Sequence, residues 1–335
     1  MRILIFLGVV LACRGAAWSA DSARFSFVAF GCMPYSEGYY PAYERLLSEI
    51  SRQRPAFTVN CGDTKAGAQP PTDEYYARVK AWFDSIEGPV MYTPGDNEWT
   101  DVDRPNNGSL DPLLWLRKVR SLYFAEERSL GRAPIPLVTQ RRDPRFAKFV
   151  ENARWTHGGV VFATVHVVGS NNNHRPDIPS AMEEFIERDA ANAAWIRATF
   201  AEARATDAPG VALFFQAEPI NALANADREG RASGFKQFLT TLDLEARSYG
   251  KPVLLVHAEE HRYRLEHAVT LVPGGGALTN VTRLETFGAN DVHAVLVVVD
   301  PESPGVFQAG PLIVPSNALP ALPKPKKASA PKKKQ

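Results

Sequence analysis

Six apolar runs, at residues 25–30, 56–60, 89–93, 160–168, 211–215 and 253–256, constrain this chain more than any other feature, because most are continuous and not alternating. A strand that is apolar on both faces belongs in the middle of a layered sheet with helices outside it. The segments between the runs are amphipathic. Tyr43, Leu46, Leu47 and Ile50 share one helical face, as do Tyr76, Val79, Phe83 and Ile86. Later come Met182, Ile186, Ala193, Ile196 and Phe200, then Phe235, Phe238, Leu239 and Leu242. Strands alternating with helices make βαβ units whose right-handed crossovers cover the sheet. After Val253 the pattern changes to short strands at 262–265, 269–272 and 294–299 with turn residues Pro273 to Gly276 and no helix between, which predicts an antiparallel half.

The predicted architecture is therefore one α/β domain over residues 21–316, a layered sandwich with mixed central sheets flanked by helices. Residues 106–153, rich in Arg, Pro and Asp with a helix over 113–123, read as an insertion over the site. A formal charge of +1 supplies no global field, so no specific nucleic-acid binding is inferred. The first twenty residues, with Arg2, an apolar run from Ile3 to Ala12 and small residues up to Ala20, follow the signal-peptide pattern and predict export to the periplasm or outside the cell. Residues 317–335 read as a basic tail with no apolar periodicity, capable of weak contact with an anionic surface.

Ligands of open α/β sheets bind beyond the carboxyl ends of the strands, so the residues after each strand carry the functional signal. Gly31-Cys32-Met33-Pro34-Tyr35 follows the first run, Cys61-Gly62-Asp63-Thr64-Lys65 the second and Pro94-Gly95-Asp96-Asn97-Glu98-Trp99 the third. Gln216-Ala217-Glu218 and His257-Ala258-Glu259-Glu260-His261 follow the last two. One Gly-Asp pair is an ordinary turn signal. Five polar strand ends in succession point to a shared site.

This order of motifs resembles the calcineurin-like metallophosphoesterase family over roughly residues 25–299. The family pattern is Asp-x-His, Gly-Asp, Gly-Asn-His-Asp/Glu, a lone His and Gly-His-x-His, holding two metal ions that share the second-motif aspartate. The resemblance implies a phosphoesterase acting on a phosphomonoester or phosphodiester, with Asp63 as the bridging carboxylate and His261 as the last histidine. Elsewhere this chain departs from the pattern. Cys32 and Pro34 stand in the first motif, Asp96 replaces the asparagine, Gln216 the lone histidine and Glu259 the first histidine of the final pair. Asn97 replaces the histidine that would protonate the leaving group, and an amide cannot do that.

The resemblance thus implies one oxygen-rich position at Asp63, Asp96, Glu259 and Gln216, suited to Mg²⁺, Mn²⁺ or Ca²⁺. A second, weaker position at Cys32, Asp63 and His261 would take Zn²⁺ only if the thiol ionised. One or two divalent ions are expected. Cys32 and Cys61 are open to three readings: a disulfide, metal ligands or two buried thiols. Asn97, Asn171, Asn172 and His257 are candidates for contact with a phosphorylated substrate, Asn97 and Asp63 being the catalytic pair. Against the enzyme stands a non-catalytic protein of the same fold that binds a ligand or partner through a degenerate cleft.

Overall fold

The computed structural model describes residues 24–318; the leader-like residues 1–20 and the tail beyond residue 318 lie outside the described residues. Strands β1 (Phe25–Phe30), β2 (Phe57–Asn60) and β3 (Val90–Tyr92) run parallel. The remaining strands are β4 (Val138–Thr139), β5 (Ala153–His157), β6 (Val160–Thr164), β7 (Val211–Phe214), β8 (Val253–His257), β9 (Arg264–Val269), β10 (Leu278–Glu285), β11 (Ala294–Val299) and β12 (Phe307–Leu312). Two mixed sheets result, ordered β12-β11-β1-β2-β3 and β4-β5-β6-β7-β8-β10-β9.

The sheets face one another across an aromatic layer. Phe27 stacks on Phe57 at 5.1 Å and meets Phe162 and Phe214 edge-on at 5.8 and 5.5 Å. Their neighbours in sequence point the other way: Val28, Phe30, Val90 and Tyr92 pack under helices α1 (Tyr40–Gln53), α2 (Asp73–Ser85) and α3 (Pro112–Tyr123). A short turn of left-handed sense, α4 (Gly169–Asn172), follows β6. Beyond it α5 (Pro179–Ala205), α6 (Pro219–Arg228) and α7 (Lys236–Tyr249) cover Val161, Leu213 and Leu255 on the outer face of the second sheet. Both faces of these strands are dry, which is why their sequences are continuous apolar runs. Fully burying one such side chain is worth about 1.5–3 kcal/mol.

The layered α/β sandwich expected from the sequence is present, and its second half differs in detail. Strand β9 is a single strand where two short ones were expected. β10, not foreseen, pairs parallel with β8 and antiparallel with β9, so the second half is mixed. β12 was also missed, and Asn317, placed by sequence in the tail, is held to the domain by Ala42 and Val292 carbonyls at 2.8 and 2.9 Å. Within residues 106–153 several segments close sheet edges. Helix α3 packs on α2, Leu130 bridges to Val90 outside β3, and β4 pairs with β5. An open strand edge is a stronger demand for backbone partners than the composition of the segment that satisfies it.

Candidate metal centre

Asp63, Asp96 and Glu259 come from the ends of β2, β3 and β8, and one carboxylate oxygen of each lies within 4.8 Å of the others. Asp63 leaves β2 in the left-handed region (φ 54), which aspartate tolerates better than most residues. Gly95 makes the approach of the two loops: a Cβ there would sit 2.1 Å from Asp63 Oδ1. Glu98, fully buried, ties both loops together. Its Oε2 accepts the main-chain N–H of Asp63 at 3.2 Å and of Gly95 at 2.8 Å, and its Oε1 accepts Thr64 Oγ1 at 2.7 Å. Glu98 is therefore spent on geometry, and Lys65, buried beside it, donates to Ala66 O and Asn107 Oδ1. Burial holds the Lys65 ammonium down at about 8.

Asp96 is fixed from the other side. Its Oδ2 lies 2.7 Å from Ser170 Oγ, which is also 2.8 Å from Asp101 and receives Arg104 at 2.9 Å. Trp99 anchors the same loop by donating to His166 Nε2 at 3.1 Å, and His166 in turn faces buried Glu151 at 2.6 Å. Gly169 in α4 lies directly against the cluster, where a Cβ would stand 2.6 Å from Asp96 Oδ2 and 2.7 Å from Glu259 Oε2. The next four residues, Ser170 to Asn173, all have φ between 49° and 58°. Asparagine enters that region more readily than other non-glycine residues, and three of the four are asparagine.

Gln216 turns its amino group to the carboxylates. Its carbonyl accepts Gly169 N at 2.6 Å, while Nε2 donates to Asp63 Oδ2 at 3.1 Å and to Glu259. A metal ligand would need the carbonyl oxygen, so Gln216 acts as a positioning residue and not as the oxygen donor expected. His261 is also diverted. Its Nε2 lies 3.0 Å from Tyr35 Oη, which stands 3.4 Å from Asp63 Oδ2. A phenol has one proton, so the consistent chain runs from His261 N–H to Tyr35 oxygen and from Tyr35 O–H to Asp63. Burial lowers the His261 pKa, in keeping with a neutral ring.

Cys32 Sγ reaches Asp63 Oδ2 only at 3.7 Å, and burial, with Asp63 next, pushes its thiol well above the ordinary range. Such a thiol would have to give up its proton to hold Zn²⁺. Cys32 and Cys61 are both free and buried, which answers the disulfide question in favour of two separate thiols. Tyr35, a residue the sequence reading passed over although it stood in the first strand end, bonds two of the three residues expected at the second position, His261 and Asp63.

The remaining candidates fall outside the cluster or touch it differently. Asn97 reaches Asp63 Oδ1 through its main-chain N–H at 3.2 Å, not its side chain. Asn172 is buried and bonded to Arg188, Val168 and Gly234, and Asn171 lies beside the cleft with its carboxamide held by Gly234 N and His174 O. His257, fully buried, accepts from Arg283 at 2.9 Å and stacks on Phe215, facing away from the carboxylates. These three residues are structural, because each has its polar groups committed inside the protein or its ring sealed in the core.

The three-carboxylate cluster fits one hard dication. All its donors are oxygen, and burial followed by repulsion from Asp96 drives Asp63 well above the carboxylate range and Glu259 to about 9. Positive charge at their centre relieves both effects.

No protein-family model matches this chain, and no curated protein matches it. Solved structures do. An inner-membrane-complex anchor of Plasmodium, GAP50, aligns over 87% of this chain and 89% of its own at 10% identity and TM-score 0.47. A structure of PhoD aligns over 83% of this chain at 11% identity and TM-score 0.48, and this chain spans 64% of it. A purple acid phosphatase of yellow lupin, Lupinus luteus, aligns over 91% at 13% identity and TM-score 0.48, and this chain spans 57% of it.

Proposed function

We propose that this chain is a metal-dependent phosphoesterase of the cell envelope working with one hard divalent cation. The observation that carries the reading is the convergence of Asp63, Asp96 and Glu259, far apart in sequence, within 4.8 Å at the ends of three strands. Asp63, Asp96 and Glu259 would hold the ion. Such an ion supplies Lewis-acid polarisation of a phosphoryl oxygen and acidifies water. Arg104, half-exposed and paired with Asp101 at 2.7 Å beside Ser170, is the cation placed to meet phosphate oxygens at the mouth. Asn97 orients Asp63 through its main chain and cannot supply a proton, so the leaving group takes its proton from solvent. The leader-like residues 1–20 support the envelope location, and the lysines of the tail support weak attachment to an anionic surface there.

The second reading, a non-catalytic cleft that binds a ligand or partner, is favoured by the chain from His261 through Tyr35 to Asp63, which uses up the groups a second ion would need. Metal analysis followed by assay on an aryl phosphate and an aryl phosphodiester separates the two. Cation-dependent turnover that vanishes in Asp63→Asn supports the enzyme. A bound cation with no Asp63-dependent turnover on either ester leaves the binding reading.

A further inference from the structure

A cavity of about 240 Å³ opens directly beside the carboxylate cluster, with Ser170, Glu218, Asn221, Asn225, Glu259 and Glu260 among its walls. Glu259, Gly169 and Ser170 belong to both spaces, so a phosphate drawn to the cluster would extend its organic group into this cavity. Its chemistry is one-sided. Carboxamides, a hydroxyl and carboxylates line it, with apolar ground from Ala222 and Phe235, and neither lysine nor arginine is among the lining residues.

Two of the carboxylates are already neutralised. Glu218 caps α6 and pairs with buried Arg283 at 2.7 Å, and Glu260 pairs with Arg264 at 2.8 Å. Asn221, exposed on the first turns of α6, reaches Glu218 with its main-chain N–H and leaves its carboxamide to the cavity. Asn225, one turn on, has its carbonyl bonded to Arg228 and its amino group still available to an acceptor.

A second phosphate inside the cavity would lie against Glu218 and Glu260, each already paired with an arginine, while Arg104 and Arg228 stand at its rim on Ser170 and Asn225; burying a charge there costs more than burying a neutral group. Hydroxyls, which donate and accept, match the free carboxamide of Asn221 and the free amino group of Asn225. We infer that this cavity binds the polyhydroxylated part of the ligand, a sugar or polyol, in preference to a second phosphate. Its role as substrate pocket rests on the phosphoesterase reading; its preference for polyols does not.

The test uses saturation-transfer NMR on the full chain with methyl α-glucoside, inositol and adenosine diphosphate, each with and without Mg²⁺. Contact of the sugar or inositol with the protein is expected in both conditions, and Asn221→Leu, an exposed helix position, should weaken it about tenfold, as expected where a built hydrogen-bonding group is removed. Circular dichroism checks that the variant is folded, and Asn225→Leu gives an independent second substitution. Absence of contact by either polyol, tighter binding of adenosine diphosphate, or retention of full polyol contact in both variants would overturn the assignment. Loss of cation-dependent turnover on every ester, with polyol contact intact, would instead overturn the phosphoesterase reading alone.

Discussion

Around Asp63, Asp96 and Glu259 two buried carboxylates and a half-buried one press against one another, whereas Cys32 and Tyr35 turn their thiol and phenol to Asp63 and a neutral His261 bonds to Tyr35. The two groups share Asp63 and lie at the ends of strands in the same two sheets. One half holds carboxyls that must take up either protons or a cation, and the other half has its polar groups paired already. The lesson is that ligand identity at a strand end does not decide whether a metal position survives; what decides it is whether neighbouring side chains have already committed the donor atoms.

The largest effect expected belongs to the shared carboxylate. Asp63→Asn removes the charge common to both halves, and aryl phosphate turnover should fall about a thousandfold, with cation uptake lost by calorimetry. Glu259→Gln touches the charged half alone and should weaken cation binding by at least about tenfold, measured the same way. If the two substitutions were equivalent to wild type in cation binding, the comparison would have no content.

The next contrast is in pH. Burial, then Asp96, raises Glu259 from 4.5 to about 9 in the folded chain. A raised folded pKa gives stability that is present below the unfolded value and lost as pH rises through the folded one. The melting temperature of chelator-treated protein should therefore fall between pH 5 and pH 9, and saturating Mg²⁺ should reduce that fall. A flat profile without metal would mean that the carboxylates are not under strain.

Smaller effects follow, one in each half. Gln216→Leu leaves the buried N–H of Gly169 unpaired and should cost about 1–3 kcal/mol in urea unfolding. Tyr35→Phe removes a hydrogen bond to Asp63 without removing an ion ligand, so cation affinity should change by less than about threefold, a shift below about 1 kcal/mol.

Much of this was legible in the sequence. The apolar runs fixed by both-face burial gave the sheets, and Asp63, Asp96 and Glu259 stood at strand ends where a site belongs. What escaped has physical reasons. β10 reads Leu-Thr-Asn-Val-Thr-Arg-Leu-Glu, polar enough to pass for loop, because Arg283 and Glu285 are buried as a charged network with Glu218 and not as apolar fill. The roles of Tyr35 and Glu98 depend on rotamers and loop approach, which residue type does not encode. Asn171 and Asn172 looked like substrate contacts; the run Asn171 to Asn173 is better explained by the left-handed turn it adopts. His257 precedes Glu259 by two residues, yet alternation along β8 puts it on the outer face with Val253 and Leu255, against Phe215, and the chain leaves the strand before Glu259.

Cation stoichiometry tests the central contrast most directly. Titration of the chelator-treated full chain with Mn²⁺, read by calorimetry and by metal analysis after dialysis, should give one ion per chain, abolished by Asp63→Asn and unaffected by Cys32→Ser. Two ions per chain, or one ion that survives Asp63→Asn and is lost with Cys32→Ser, would contradict the division of the site drawn from its hydrogen bonds.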